Sequence, residues 1–199
     1  TTTPFPLPKT GIEVMWNHLV RYLGGGFERQ YASFPVRSNG STFQVTTLER
    51  RVFAQNMENP EPNRLLYFLT SVLAPATLSG NVYLVHEPLD QVKEQRSAWI
   101  YNAGQRRVRR APELAYDAVT DGNEGMRYVD QYDAFSGAPD RFDFKLVGKK
   151  EMLVPYNAYK LASDTVKYDQ LIKPGSVNPD VMRYEMHRVW VVDATLKPG

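Results

Sequence analysis

One stretch of the chain, residues 96–112, predicts an antiparallel β-hairpin. An aromatic segment, Ser97-Ala98-Trp99-Ile100-Tyr101, is followed by the turn residues Asn102-Ala103-Gly104 and by an arginine-rich segment, Gln105-Arg106-Arg107-Val108-Arg109-Arg110. Aromatic and β-branched residues favour strands, and a short loop with Asn and Gly between two such segments favours a hairpin. The stretch carries apolar and cationic side chains and no catalytic motif. It indicates a curved antiparallel sheet that presents apolar and cationic surface.

A helix is predicted near the start of the chain. Thr10 and Glu13 have the spacing of a capping box, and Gly24-Gly25-Gly26 is expected to end the helix. Apolar residues recur at helical spacing between these limits. They are Ile12, Met15, Trp16, Leu19 and Leu23.

The remaining elements are mostly strands. Asn39-Gly40 is a strong turn signal, and it predicts a hairpin formed by two flanking segments. In residues 141–152, Phe142, Phe144 and Leu146 alternate with charged residues, so this face is expected to point inward. The predicted strands are residues 31–37, 42–55, 65–72, 81–85, 141–152 and 183–196. A short helix is expected at about residues 126–135, and residues 155–180 form a long connection.

The fold class expected from these elements is α+β, mainly β, with a curved antiparallel sheet and a few helices. A length of 199 residues and a hydrophobic content of 42% suit a single domain, residues 1–199. The chain begins at Thr1 and ends in Lys197-Pro198-Gly199, and we expect it to be a fragment of a longer protein. A missing neighbour would leave the strand at residues 183–196 with an unpaired edge.

Composition excludes several functional classes. The chain has 24 basic and 22 acidic residues, a balance that does not favour nucleic-acid binding. It has no cysteine, which removes disulfides, thiolate metal sites and cysteine nucleophiles. The longest apolar run, residues 65–73, is far shorter than the roughly 20 residues that span a bilayer. The chain is therefore not expected to span a membrane or to bind nucleic acid.

The titratable residues do not predict an active site. His18, His86 and His187 lie in different elements and lack metal-ligand spacing. Four aspartates lie close in sequence, and two of them could act as acid and base on a glycan, but nothing distinguishes them from surface carboxylates. They are Asp130, Asp133, Asp140 and Asp143. We therefore expect no enzyme activity, no metal and no cofactor.

The arginine-rich strand has two interpretations. Strand alternation sends Arg106 and Arg110 to one face and Arg107 and Arg109 to the other, so the four do not form one cationic patch. The first interpretation is structural, with guanidinium groups stacked on Trp99 or Tyr101. The second is functional, with an arginine at a cavity rim that meets an anionic head group or a partner's carboxylate.

Several motifs distributed over nearly the whole chain resemble one family. The motifs include Thr3-Pro4-Phe5-Pro6-Leu7-Pro8-Lys9, Leu84-Val85-His86-Glu87, Gly104-Gln105-Arg106-Arg107-Val108-Arg109-Arg110-Ala111-Pro112, Phe135-Ser136-Gly137-Ala138-Pro139-Asp140-Arg141 and His187-Arg188-Val189-Trp190-Val191-Val192. By these motifs the chain resembles the domain-of-unknown-function family 1329, exported proteins of Gram-negative bacteria whose members are longer than this chain.

The resemblance implies a fold and a function. The family is grouped with periplasmic lipoprotein carriers and outer-membrane lipoprotein receptors of the LolA/LolB type. These proteins form an incomplete barrel of antiparallel strands around an apolar cavity, with covering helices. The resemblance therefore implies a non-enzymatic periplasmic protein that binds a lipid or a lipoprotein acyl chain, possible carriage in outer-membrane traffic, and an envelope transporter as a possible partner.

Eight residues are expected to line the cavity of such a fold, and four arginines are candidates for its rim or for partner contact. The alternative function is an envelope protein–protein interaction module with no small-molecule ligand. The expected cavity residues are Phe43, Val45, Trp99, Tyr101, Phe142, Phe144, Met186 and Trp190. The rim candidates are Arg106, Arg107, Arg109 and Arg110.

Overall fold

Antiparallel pairing joins six strands into one sheet in the computed structural model of the chain, which describes residues 3–114, 116–119 and 122–198. Each strand pairs with the next strand along the chain, so the sheet is a meander. The strands are β1 (Gly26–Ser33), β2 (Val45–Phe53), β3 (Arg64–Ala74), β4 (Val82–Pro88), β5 (Ser97–Asn102) and β6 (Arg107–Arg110).

The other strands pair outside this sheet, β7 with β10 and β8 with β9. These strands are β7 (Phe142–Pro155), β8 (Ile172–Lys173), β9 (Ser176–Val177) and β10 (Tyr184–Leu196). The helices are α1 (Gly11–Leu19) and α2 (Tyr168–Leu171), with 3-10 turns at Ala54–Asn56, Val129–Ala134, Pro139–Arg141 and Pro179–Val181.

The chain divides into two compact units. The sheet unit comprises Thr1–Pro4, Trp16–Pro35 and Phe43–Arg141, and the ribbon unit comprises Phe5–Met15, Val36–Thr42 and Phe142–Gly199. The expectation that residues 1–199 form a single domain stays a prediction. The fold class is confirmed, because the structure is mainly β, its antiparallel sheets are not closed into a barrel, and it has few helices.

The predicted hairpin at residues 97–110 is confirmed. Trp99 lies opposite Arg110 and Tyr101 lies opposite Val108, with residues 103–106 as the loop. The tight turn at Asn39-Gly40 is also present, since the amide of Gly40 donates to the carbonyl oxygen of Arg37 at 2.9 Å. These two turns were predictable because Asn and Gly tolerate the conformations that short turns require.

Helix α1 begins as predicted and ends earlier than predicted. The Glu13 carboxylate accepts from the amide of Thr10 at 3.2 Å, which confirms the capping box. The predicted end at Gly24 is wrong, because the helix ends at Leu19. At this end the carbonyl oxygen of His18 accepts from the Arg21 guanidinium at 2.6 Å and from the Arg21 amide at 3.4 Å.

The helix predicted at residues 126–135 is instead a pair of 3-10 turns. Its backbone leaves helical geometry at Tyr132 and Asp133, and Asp133 has a φ of 50°. The carbonyl oxygen of Asp133 accepts from His18 Nε2 at 2.6 Å, and its carboxylate forms an ion pair with Arg51. These tertiary bonds hold a conformation that a regular helix would not allow.

The hydrophobic core of the sheet unit lies on one face of the sheet. Ala98 and Ile100 of β5 are buried together with Ala111, and Tyr83 and Val85 of β4 pack against them. Further buried apolar residues come from β2, β3 and the adjoining 3-10 turn. They are Val45, Phe53, Ala54, Leu65 and Val72.

The ribbon unit is built on the β7/β10 pair. Phe142, Phe144 and Leu146 are half-buried while Asp143 and Lys145 are exposed, which confirms the predicted alternation. The register shifts between Val191 and Val192, so residues on either side of this point do not keep one alternation.

Replacing Gly11 with alanine is expected to destabilise the protein, although alanine favours helices. A Cβ on Gly11 would lie 2.5 Å from the carbonyl oxygen of Phe144, and a backbone atom cannot yield as a flexible side chain can. Such overpacking lowers the free energy of unfolding by about 1–3 kcal/mol. Urea denaturation measures the effect. Gly25→Ala is the control, because a Cβ added there would have no atom within 4 Å; equal midpoints for the two variants would contradict the prediction.

Candidate functional site

One face of the six-stranded sheet lines a cavity, and we call it the cavity face. Residues directly opposite each other in an antiparallel pair share a face. The register places Arg51 opposite Phe68 and Phe68 opposite Val85. The strand residues that line the cavity are Tyr31 and Ser33 of β1, Val45, Thr47, Arg51 and Phe53 of β2, Leu65, Leu66, Phe68, Thr70 and Val72 of β3, and Tyr83, Val85 and Glu87 of β4.

The other lining residues come from segments that follow or connect the strands and helices. Leu19, Arg21 and Leu23 come from the end of α1 and the residues after it, and Gln91 and Arg96 come from the connection between β4 and β5. The connection from β6 to β7 supplies the rest, and we call its residues 129–137 the cover segment. The lining residues of this connection are Leu114, Gly122, Asn123, Arg127, Val129, Tyr132, Asp133, Phe135, Ser136 and Gly137.

The cavity has a volume of about 170 Å³. An apolar cavity of roughly 150 Å³ can hold a ligand the size of benzene. Pockets for drug-sized ligands span roughly 300–1,000 Å³. As it stands, the cavity can therefore hold part of an alkyl chain, and a longer chain requires the lining to move.

A buried carboxylate on the cavity face organises the neighbouring arginines. The side chain of Glu49 is fully buried and accepts from Arg29 Nη2 at 2.8 Å. Glu49 also pairs with Arg51, whose guanidinium lies 5.0 Å from the ring centroid of Phe68. An isolated buried charge is very costly, so these partners are what allow Glu49 to lie inside the sheet unit.

Arg51 also holds the cover segment. Its Nη1 donates to the Asp133 carboxylate, which is 30% exposed. Burial alone would raise the pKa of Asp133, but the hydrogen bond and charge of Arg51 outweigh it and lower that pKa. His18 donates to the carbonyl oxygen of the same residue, and burial together with the charge of Arg21 lowers the pKa of His18. The cover segment is thus fastened at Asp133.

A second buried carboxylate, Glu87, lies at the end of β4. Arg96 Nε donates to its Oε2 at 2.5 Å, and both side chains are less than 8% exposed. Burial raises the pKa of Glu87 in spite of the charge of Arg96. The Arg96 guanidinium also lies 4.7 Å from the ring centroid of Tyr116. Burial and the charge of Glu87 raise the pKa of Tyr116 to about 12.

The described residues offer a binding site and show no arranged metal site. No group of three or more His, Asp or Glu side chains in the described ranges is placed to hold a metal ion. Within residues 3–114, 116–119 and 122–198, no helix is long and apolar enough to cross a membrane. The cavity combines an apolar lining with arginines and carboxylates that are mostly paired, which suits an apolar ligand with a polar end.

Only Val45 of the eight expected cavity residues lines this cavity. Phe43 precedes β2 and is not among the lining residues. Val85 lies opposite Ala98 and Tyr83 lies opposite Ile100, so Trp99 and Tyr101 point to the other face of the sheet. There the Trp99 ring contacts His86, with centroids 4.9 Å apart.

The other four expected cavity residues lie on the β7/β10 pair of the ribbon unit. The rings of Phe142 and Phe144 contact each other with centroids 5.9 Å apart, and Lys149 Nζ lies 4.5 Å from the centroid of Trp190. Met186 is 60% exposed. Contact of these residues with a ligand stays a prediction.

The four arginines of the predicted rim are exposed along β6 and its turn. Arg110 lies 6.0 Å from the centroid of Trp99 and donates to Ser97 Oγ at 3.3 Å, in line with the structural interpretation. Arg109 pairs with Glu113. Arg106 occupies the turn with a φ of 54°, and Arg107 lies opposite Asn102. A role in partner contact stays a prediction.

Sequence reasoning did not identify the charged cavity residues Arg51, Glu87, Arg96 and Asp133 as site residues. A signal was present for two of them. Arg51 has the same strand parity as the buried Val45 and Phe53, and Glu87 continues the parity of Tyr83 and Val85. A charged residue at an inward position of an apolar strand indicates a buried ion pair or a binding group.

Comparison with known proteins identifies the family. Residues 1–199 match the model of the protein family of unknown function DUF1329, and the chain belongs to this family. The chain is 50% identical over 203 residues to an uncharacterised Pseudomonas aeruginosa protein, PA3922. The match covers 100% of the chain and 45% of that protein, so the chain spans about half the length of this relative.

Two solved structures resemble the chain. A crystal structure of a domain named for outer membrane lipoprotein sorting, from Vibrio parahaemolyticus, has a TM-score of 0.52 and 14% identity, and the match covers 71% of this chain and 55% of that one. A DUF1329 family protein from Desulfovibrio piger has a TM-score of 0.48 and 16% identity, with 72% and 57% covered. The first likeness shows that this chain and that domain share a fold.

Replacing Asp133 with asparagine is expected to lower stability at neutral pH by about 1 kcal/mol, because the charged hydrogen bond to Arg51 is lost at a partly exposed site. The folded-state pKa of Asp133 is lowered, so its contribution is complete above the unfolded pKa of about 3.9 and disappears as the pH falls through the folded-state value. Urea denaturation between pH 7 and pH 3 measures this difference.

Asp130→Asn is the matched control. Asp130 lies in the same 3-10 turn, and its carboxylate forms no ion pair with a described residue. We expect its effect to stay within about 0.5 kcal/mol at every pH. A deficit of Asp133→Asn that persists unchanged at pH 3 would contradict the assignment of the ion pair.

Proposed function

We propose that the chain is a non-enzymatic periplasmic protein that binds a hydrophobic ligand, a lipid or a lipoprotein acyl chain, in the cavity of the sheet unit. The observation that carries the proposal is the cavity itself. Its lining is dominated by aliphatic and aromatic side chains such as Leu65, Phe68, Val72 and Val85. Each methylene buried against such a lining contributes about 0.8 kcal/mol and needs no polar chemistry.

The fold supports the same proposal. The solved domain with a similar fold is named for outer membrane lipoprotein sorting. Lipoprotein traffic to the outer membrane requires a protein that takes up acyl chains which would otherwise be exposed to water. We propose carriage in outer-membrane lipid or lipoprotein traffic, with a lipoprotein as cargo and an envelope transporter as partner.

Replacing Val72 with phenylalanine is expected to weaken ligand binding, because the larger side chain occupies part of the cavity. The probe is 1-methoxydecane, titrated calorimetrically into the purified chain. Loss of contact for two methylenes weakens binding about tenfold. Leu73→Phe is the matched control, since Leu73 is the next residue along β3, does not line the cavity and is 43% exposed. Equal affinity of both variants would contradict binding in this cavity.

A second measurement identifies the natural ligand. Protein purified gently from its host, extracted and examined by mass spectrometry, is expected to yield a lipid or an acylated peptide. Val72→Phe prepared in the same way is expected to yield less of the same molecule. Protein that is empty from the host and also fails to bind 1-methoxydecane would overturn the proposed function.

A specific surface favours the second candidate, an envelope interaction module. Strand β6 is an edge of the six-stranded sheet, and all four of its residues are exposed. An exposed edge strand offers unpaired backbone groups to a partner strand, and its arginines suit a partner's carboxylates. Val108, which is 67% exposed, lies at the centre of this edge.

A photo-crosslinker at Val108 tests this candidate. In host cells, an interaction module is expected to give one dominant cross-linked envelope protein, and the product is expected to disappear when Arg107 and Arg109 are both replaced with glutamate. A crosslinker at Tyr22, which is exposed in the sheet unit away from β6, is the control. Equal products from both positions would contradict a specific partner at this edge.

A further inference from the structure

Glu87 is a polar residue of the cavity whose hydrogen bonding is incomplete. Its side chain is 6% exposed, and Oε2 accepts from Arg96 at 2.5 Å. Its second oxygen, Oε1, is buried and has no hydrogen-bond partner. A carboxylate can accept about four hydrogen bonds, and a buried oxygen without a donor is unfavourable. Glu87 therefore has an open acceptor position at the lining of the cavity.

A second acceptor lies nearby in the chain. Gln91 also lines the cavity, and its buried Oε1 has no hydrogen-bond partner. It follows Glu87 by four residues, across the turn in which the amide of Asp90 donates to Asn63 Oδ1 at 2.7 Å. Two buried acceptors without donors among the lining residues indicate a site that is completed by a donor from outside the protein.

The charges around Glu87 restrict what that donor can be. Three further arginines line the same cavity, namely Arg21, Arg51 and Arg127. Together with Arg96 they outnumber the two lining carboxylates, Glu87 and Asp133, and this excess of positive charge disfavours a cationic donor such as an ammonium group. A fully deprotonated anion such as a carboxylate has no proton to donate to Glu87 and is repelled by its charge. A neutral donor is the chemistry that remains.

We propose that Glu87 Oε1 is the recognition site for a neutral hydrogen-bond donor, a hydroxyl or an amide N–H, carried on the alkyl chain of the bound ligand. The proposal rests on the proposed function, since the alkyl chain occupies the apolar part of the cavity. Glu87 selects among apolar ligands, and the alkyl chain supplies most of the affinity.

Matched probes test the selection. Decan-1-ol can donate a hydrogen bond, whereas 1-methoxydecane can only accept one. N-methyldecanamide and N,N-dimethyldecanamide form the corresponding amide pair. Because a hydrogen bond to a charged group is strong, each donor is expected to bind the wild-type chain about tenfold more tightly than its methylated partner if its geometry suits the site. A larger affinity ratio for the alcohol pair would indicate a hydroxyl donor on the ligand, and a larger ratio for the amide pair would indicate an amide N–H donor.

Replacing Glu87 with glutamine tests the residue. Glutamine keeps an oxygen for Arg96 and turns an N–H group towards the open position, so the ratio of the affinities is expected to fall to about one. Glu28→Gln is the matched control, because Glu28 lies on β1 of the same sheet, its side chain is 55% exposed and it does not line the cavity. We expect its ratio to equal that of the wild type. The wild-type ratios remain decisive where a variant does not fold.

The outcomes separate this inference from the function on which it rests. Failure of all four probes to bind would overturn the proposed function. Equal binding of donor and methylated probes by the wild type would leave that function standing and overturn the inference, with Glu87 Oε1 bonded to an ordered water only. Tighter binding of the methylated probes would show a proton on Glu87 and would also overturn it.

Discussion

The burial of charge on the cavity face is the constraint on which the sheet unit depends. Glu49 is fully buried in the centre of β2, and it is tolerated there because Arg29 and Arg51 neutralise it. Arg51 in turn binds Asp133 of the cover segment. One carboxylate on a central strand thereby determines the position of two arginines and, through them, of a segment more than eighty residues away in the chain. Removing one partner would leave an uncompensated buried charge.

Local signals made much of the fold predictable. Asn and Gly mark the turns at residues 39–40 and 102–104, and the alternation of Phe142 and Phe144 with charged residues marks β7. The end of α1 was not predictable in this way, because it depends on a bond from Arg21 to the carbonyl oxygen of His18. The broken turns at Val129–Ala134 likewise depend on Arg51 and His18, which lie far away in sequence.

The cavity was harder to predict than the strands that line it. The register of a strand determines which of its faces lines the cavity, and a shift of one residue exchanges the two faces. The register places Ala98 and Ile100 beside the cavity strands, and Trp99 therefore points away although it is the larger apolar residue. Size and hydrophobicity do not reveal this parity. The buried Glu87 does carry a signal, since a charge at an inward position is unusual.

The size of the cavity is tied to the cover segment. Asp133 and Ala134 adopt left-handed backbone conformations, with φ values of 50° and 71°, which are unfavourable for residues other than glycine. The ion pair with Arg51 and the bond from His18 offset this strain. A ligand that displaces these bonds to enlarge the present 170 Å³ loses about 1–3 kcal/mol, which the burial of about four further methylenes would compensate.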